Sequence, residues 1–244
     1  MNNAKKPHIH LTQDSRYERV IVCGSPDRAA VFAQALENPV LVAKNREYHS
    51  YLGQYDGVSI LVTSHGVGSA GAAICFQELI DVGAKAMIRI GTAGGLYDET
   101  RIGDIAVATS AVRKDGVSNL MVPTAYPAVA SRQITSHLIA ALEAKNIDHR
   151  DGVVVTSDLF YPGPMGDDLE LFARAGAIAV EMECSTLFVI GALRKIQTGA
   201  MLVLDGNPLK WSEGHYDPNP ERLKSSMTSC LLAALETLKS VRLG

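Results

Sequence analysis

The sequence predicts an α/β fold in one domain, residues 1–244, with a mostly parallel central sheet covered by helices on both faces. Short apolar runs alternate with stretches of helical periodicity along the chain. One segment, Asn45–Ser64, breaks the alternation: Gln54-Tyr-Asp-Gly57 is a turn signal between two strand-like runs, so it reads as an antiparallel excursion. No Pro/Gly/Ser-rich linker and no internal repeat divides the chain.

Taken in order, the apolar run Arg19–Gly24 predicts the first strand, and Arg28–Leu36, just after Pro26, the first helix. Val40–Lys44, Tyr48–Tyr55 and Ser59–Ser64 are the strands of the excursion. Ser69–Val82 is a helix, followed by strands at Ala86–Gly91 and Ile105–Ala111 and a helix at Ser131–Lys145. Strand Gly152–Ser157, helix Asp168–Ala175, strand Ala177–Val180, helix Glu183–Lys195, strand Ala200–Asp205 and helix Pro220–Val241 complete the pattern. Ligands of such sheets sit beyond the carboxyl ends of the strands, so unusual polar residues there are the ones to question.

Composition narrows the function. The 244 residues are 47% hydrophobic and 20% charged, ordinary for a globular protein. A net charge of −3 gives no sign of a nucleic-acid surface. Four widely spaced cysteines (Cys23, Cys75, Cys184, Cys230) without a CxxC pair read as reduced, buried thiols of a cytoplasmic protein. Neither a secretory signal nor a membrane span is expected, since no h-region opens the chain and no run of 18 apolar residues occurs.

The stretch Thr63-Ser-His-Gly-Val-Gly-Ser-Ala-Gly71 has the GxGxxG spacing of a dinucleotide fingerprint. The acid that should end the next strand is missing; that strand carries Arg89, and Asp98 and Glu99 come only after a glycine turn. The stretch also lacks the first glycine of a GxSxG hydrolase elbow around Ser69. A tight turn with close strand–helix packing is the simpler reading.

Several residues carry two readings. Arg89, in an apolar strand, belongs either to an internal ion pair or to an anion site made with Gly91-Thr92-Ala-Gly-Gly95, whose amides and hydroxyl can cradle phosphate. Gly24-Ser-Pro-Asp-Arg28 is a capped turn or a second anion site at a helix start. Arg46 is a surface arginine or a third cation of that set. Glu181-Met182-Glu183 caps a helix or offers a carboxylate fork to a diol such as ribose. Asp205, at a strand tip, caps a turn or acts in catalysis. Phe160 and Tyr161 are core or stack on a flat ligand, and Trp211 lies in a loop, Asn207–Asn219, that is a lid or a plain connection. His65 is expected to make a local hydrogen bond. His8 and His10 lack a third ligand, so no metal site is expected, and nothing marks a cysteine as a nucleophile.

The motifs CGSPDR, NREY, SHGVGSAG, IRIGTAGG, SDLFYP, VEMEC and LDGNPLKW occur in the order found in the hexameric nucleoside phosphorylase/uridine phosphorylase family. The set is most similar to its purine nucleoside phosphorylases from apicomplexan parasites, over nearly the whole chain from His8. The resemblance implies a three-layer α/β/α sandwich with a mixed, partly closed central sheet. It implies reversible phosphorolysis of purine ribonucleosides in purine salvage, with inorganic phosphate as co-substrate and no cofactor. Gly24, Arg28, Arg89 and Thr92 would hold phosphate, with Arg46 from a neighbouring subunit. Met182 and Glu183, with Glu181 close by, would hold ribose, and the neighbour's His8 its 5′-hydroxyl. Phe160, Val180 and Trp211 would face the base, and Asp205 would protonate N7. The implied assembly is a homohexamer, a trimer of dimers with sites shared across the dimer interface.

Two departures stand out. Ser25 replaces the aspartate of the family's GDPxR, and Pro218 stands where some bacterial relatives have an arginine. Uridine-cleaving members read uracil with a Gln and an Arg; here Pro162–Gly176 has no glutamine and only Arg174, which favours purine. Uridine phosphorolysis and hydrolytic nucleosidase activity remain the alternatives, with a non-catalytic binding protein or a dinucleotide oxidoreductase further off.

Overall fold

The computed structural model describes residues 4–214, 216–217 and 221–243. In β1 (Arg19–Cys23), Val20, Ile21, Val22 and Cys23 are all fully buried. A run buried on both faces suits a central parallel strand. β1 is indeed parallel to both its neighbours, β4 (Val58–Ser64) and β5 (Ala86–Gly95). Successive side chains of β1 enter different cores: Val20 and Val22 one, Ile21 and Cys23 the other. The first core also holds Phe76 and Leu79 of α2 (Ser69–Val82) and Leu187 and Phe188 of α6 (Cys184–Arg194). The second holds Phe32 of α1 (Pro26–Ala33), Leu138 of α4 (Arg132–Glu143) and Leu231 of α7 (Glu221–Ser240). The three layers follow from this alternation.

The remaining strands are β2 (Glu37–Asn45), β3 (Tyr48–Tyr55), β6 (Ile105–Lys114), β7 (Ala128–Val129), β8 (Arg150–Ser157), β9 (Ala179–Glu181) and β10 (Gln197–Gly206). The described strands form one mixed sheet in the order β10-β6-β8-β9-β5-β1-β4-β3-β2, with β7 against β6. β10 also pairs with β5, so β5, β10, β6, β8 and β9 close into a ring. The expected excursion is present: β2, β3 and β4 pair antiparallel.

Three expectations need correction. The glycine-rich Gly91–Gly95 is not a loop but the end of β5, paired along one edge with β10. A Cβ on Gly94 would lie 2.7 Å from Pro208, and one on Gly95 2.4 Å from Thr100, so these glycines serve close packing. Two elements were also missed, α3 (Gly116–Met121) and β7. Six-residue α3 has no apolar stripe to read. It is tied instead by side chains: Asp115 accepts from Ser118 N at 2.6 Å, and Arg113 donates to the Ser118, Val122 and Tyr126 carbonyls. Pro218 and Pro220 lie outside the described residues.

Candidate active site

The gap that makes the site is in the sheet itself. On one edge of β5, β1 lets go after Arg89 and β9 begins only at Gly94. Among the described residues no strand lies beside 90–93 there, and a cavity of about 650 Å³ opens at this place. Gly24, Arg28, Arg89, Thr92, Phe160, Val180, Glu181, Met182, Glu183, Asp205 and Trp211 all line it. Residues flagged across nearly two hundred positions thus meet at one break in the strand order.

At the end of β1, Ser25 caps α1, its hydroxyl accepting from Arg28 N, and Pro26 follows at the first helical position. The serine that departs from the family motif therefore has a structural role. Gly24 O accepts from Gly66 N at 3.0 Å, and a Cβ on Gly24 would meet Gly66 O at 3.3 Å, so two turns press together here. Arg28 is half-buried and makes no salt bridge among the described residues. Burial, with repulsion from Arg89, holds its pKa below the usual arginine value. A partly desolvated guanidinium at a helix start, with no carboxylate in salt-bridge contact among the described residues, favours an anion.

Arg89 is different. It is 4% exposed, and all three of its nitrogens are engaged. Nε and Nη2 donate to Glu181 Oε2 at 3.3 and 3.2 Å, Nη2 also meets Glu183 Oε2, and Nη1 faces His65 Nε2 at 3.2 Å. A guanidinium can only donate, so His65 Nε2 accepts and the proton sits on Nδ1. Burial and the two nearby arginines hold the His65 pKa well below its ordinary value, so the ring is neutral. The bond of His65 is thus long-range rather than the local one expected. Burial opposes the charge on Arg89, yet Glu183 and Glu181 more than offset it and raise its pKa. Of the two sequence readings of Arg89 the structure shows the internal ion pair, and the residue also lines the cavity.

The two glutamates divide their work. Glu181 accepts from Thr156 Oγ1 at 2.6 Å, Glu183 N at 2.7 Å and Cys184 N at 2.9 Å, besides Arg89. Its oxygens are taken up in fixing the start of α6, which leaves Glu183 and Met182 better placed for a ligand. Glu183 Oε1 accepts from Gly68 N at 2.6 Å. Burial pushes the Glu183 carboxyl above its ordinary range, with Arg89 pulling the other way. The GxGxxG stretch finds its function here. Gly66 and Gly68 take positive φ (78° and 91°), which points the Gly68 amide at Glu183.

Asp205 occupies a β-bulge. β10 pairs Leu204 with Ala93 and then Gly206 with Gly94, leaving Asp205 as the extra residue. Burial raises its pKa to about 6, against a hydrogen bond from Thr92 and the charge of Arg28. Above the strand ends, Phe160 lies 5.1 Å from Trp211, and Trp211 5.6 Å from Tyr216. The Trp211 segment is a short 3₁₀ turn, Pro208–Glu213, tied back by a bridge between Gly206 and Tyr216.

Three residues flagged for a ligand stay outside the cavity: Tyr161, which is exposed, Arg46 and His8. Arg46 is exposed at the β2–β3 turn with φ of 50°, and Asn45 beside it donates to His8 O at 2.8 Å. The His8 ring meets Glu78 Oε1 at 2.6 Å, and Glu78 also accepts from the His8 and Ile9 amides. Arg46 and His8 therefore share one surface of the molecule. Sequence reasoning missed Glu47, Lys114, Asp168 and Tyr216, which also line the cavity. Glu47 follows the flagged Arg46, but only the hairpin turn reveals that the two face opposite ways. Among the described residues, no group of three His, Cys, Asp or Glu side chains could hold a metal, and no helix is long and apolar enough to cross a membrane.

A ring-closed mixed sheet with a charged cavity at its break defines an α/β enzyme that handles a small polar substrate. The family model of the Phosphorylase superfamily matches residues 18–239, and the chain belongs to that family. It is 41% identical to the purine nucleoside phosphorylase of Plasmodium vivax, over 94% of this chain and 97% of that protein. It is 36% identical to a uridine phosphorylase of Haemophilus influenzae, over 79% of this chain and 82% of the relative. A crystal structure of purine nucleoside phosphorylase from Toxoplasma gondii in complex with immucillin-H superposes with a TM-score of 0.93 at 33% identity, covering 98% and 97% of the two chains.

Proposed function

We propose that the protein is a purine nucleoside phosphorylase, converting inosine or guanosine and phosphate to free base and ribose 1-phosphate in cytoplasmic purine salvage. The observation that carries the reading is Arg28: a half-buried guanidinium that makes no salt bridge among the described residues, facing the same cavity as a carboxyl of raised pKa, Asp205. The same cavity thus offers a cation suited to an anion and a carboxyl that can supply a proton.

A phosphate oxygen, held at Gly24, Arg28 and Thr92, attacks C1′ of the sugar. The C1′–N9 bond breaks and its electron pair moves into the purine. Asp205 gives its proton to N7, or shares it, as that charge develops. Glu183, pinned by Gly68 and Arg89, accepts from the ribose hydroxyls beside Met182, so the sugar is oriented before attack. Glu181 supports this arrangement through the α6 amides. Phe160, Val180 and Trp211 enclose the base. No cofactor or metal enters these steps. His8 and Arg46, which lie off their own cavity, complete the site of a neighbouring copy in a hexamer built as a trimer of dimers. The free, buried cysteines suit a reducing compartment.

Similarity to uridine phosphorylases supports uridine cleavage as a second reading. A nucleoside panel with and without phosphate separates the possibilities. Hypoxanthine release from inosine that requires phosphate is the expected result. Equal release without phosphate means a hydrolase, and faster cleavage of uridine means the second reading.

A further inference from the structure

Carboxylates hold the Arg89 guanidinium along one edge: Glu181 Oε2 accepts from Nε and Nη2 at 3.3 and 3.2 Å, and Glu183 meets Nη2 as well. Contacts along one edge leave the plane free to tilt about that edge. Packing from Gly91 does not fix it either, since that residue has no side chain; a Cβ there would lie 2.7 Å from Nη2 and 3.0 Å from Nη1. The Nη1 end needs a contact of its own, and His65 supplies one, its Nε2 facing Nη1 at 3.2 Å. The Cys184 thiol, a much weaker acceptor, also stands beside the guanidinium.

His65 is firmly placed. It is fully buried, its ring edge-on to Phe76 with centroids 5.3 Å apart. Its amide donates to Cys23 O at 2.9 Å, at the end of β1, and the next amide, Gly66 N, donates to Gly24 O at 3.0 Å. Further along the same turn, Gly68 N donates to Glu183 at 2.6 Å and Ser69 Oγ to Met182 O at 2.9 Å. One turn thus grips the end of β1, Arg89, Met182 and Glu183 together. His65 does not line the cavity, whereas Gly66 and Arg89 do, so it acts on a ligand through its neighbours. Its contact also differs from the partly exposed pair of Lys114 and Asp168, ahead of α5 (Leu169–Arg174): in the interior, a hydrogen bond to a charge escapes screening by water.

We propose that His65 is a positioning residue for the anion: by accepting one of the two Nη1 hydrogens of Arg89 it sets the plane of the guanidinium and turns the other hydrogen toward phosphate. The inference rests on the phosphorylase reading above and adds to it a residue that touches no substrate. The ring must be neutral, since a protonated one has no lone pair to offer. Burial and the charges of Arg89 and Arg28 keep it so.

The test is the KM for phosphate and the kcat, at saturating inosine, of the wild type, His65→Leu and His65→Gln. Leucine fills the space without an acceptor, while glutamine can set its amide oxygen where Nε2 stands. His65→Leu is expected to raise the KM for phosphate about tenfold with kcat little changed, the lower end for one hydrogen bond to a charged group. His65→Gln restores most of the affinity. A role limited to filling the interior would lower the melting temperature and leave the KM for phosphate unmoved, or raise it equally in both variants; either result overturns the inference while the phosphorylase reading stands. Should His65→Leu fail to fold, nitrogen NMR of the wild type decides: a buried ring with an unprotonated Nε2 whose signal moves as phosphate is added upholds the inference, and one that does not respond overturns it. Wild-type protein that releases no hypoxanthine from inosine in the presence of phosphate overturns the phosphorylase reading, and this inference with it.

Discussion

Asp205, the proton donor proposed for the reaction, carries a charge that burdens the fold. Its pKa stands at about 6, against an ordinary carboxyl value of 3.8. A carboxyl whose pKa is raised by folding favours the native state fully below its unfolded pKa, and loses that contribution as pH rises through the folded value. Between about pH 4 and 6 the native protein therefore loses on the order of 2–3 kcal/mol through this residue. Asp205→Asn is expected to raise the melting temperature at pH 8, and the gain should vanish toward pH 4. The same substitution should lower kcat/KM for inosine by about 10²–10⁴ if Asp205 is the proton donor. Stability gained without activity lost would remove the acid from the mechanism. Activity lost without the pH-dependent gain would instead mean that its carboxyl is not strained by burial.

At the scale of elements, the site depends on how β5, β9 and α6 are joined. Arg89 is the joint, its side chain 5% exposed between Glu181 and Glu183. Arg89→Met strands two carboxylates in the interior, and removing one partner of a buried pair typically costs about 3–5 kcal/mol. Urea unfolding should report that loss at neutral pH, and a smaller one in acid, where the stranded carboxyls take up protons. Gly91→Ala tests the same joint more gently: the new Cβ would lie 2.7 Å from Arg89 Nη2 and 2.9 Å from Cζ, and that guanidinium is tied on three sides. Expected is a variant that folds but binds ribose poorly, seen as a raised KM for inosine; unchanged kinetics would mean Arg89 can shift freely. Arg89 also marks the limit of what a sequence yields. Its place in an apolar strand makes it conspicuous, and the acids of VEMEC are conspicuous too. That they pair with each other depends on β9 turning antiparallel beside β5, a pairing across about ninety residues that leaves no local pattern. The bulge at Asp205 is hidden for the same reason, since it exists only relative to β5. Long apolar strands and helices were legible because their periodicity is local; α3, held by Asp115 and Arg113, had none to show.

Over the whole molecule, the cavity receives residues from nearly every strand of the ring, yet Arg46 and His8 sit outside it on one surface. If they complete a partner's cavity, a dimer with two-fold symmetry exchanges them reciprocally. That geometry can be tested by complementation. Arg28→Ala removes a cation from a subunit's own cavity; Arg46→Ala removes one from the partner's. Each variant alone is expected to lose most phosphate-dependent activity. When the two are co-expressed, a mixed dimer has one cavity with its own Arg28 and a partner's Arg46, both intact, and one cavity lacking both. Random pairing makes about half the dimers mixed, so about a quarter of all cavities should be whole, and roughly a quarter of wild-type activity should return. An Arg46→Ala variant with normal phosphate affinity would instead leave Arg46 as a surface residue and each cavity complete within one chain. Recovery to near-full activity would require a different sharing, in which one intact subunit supports more than one site. Size-exclusion chromatography of the same samples checks that neither substitution dissolves the assembly, so a missing quarter can be read as chemistry rather than as loss of contact.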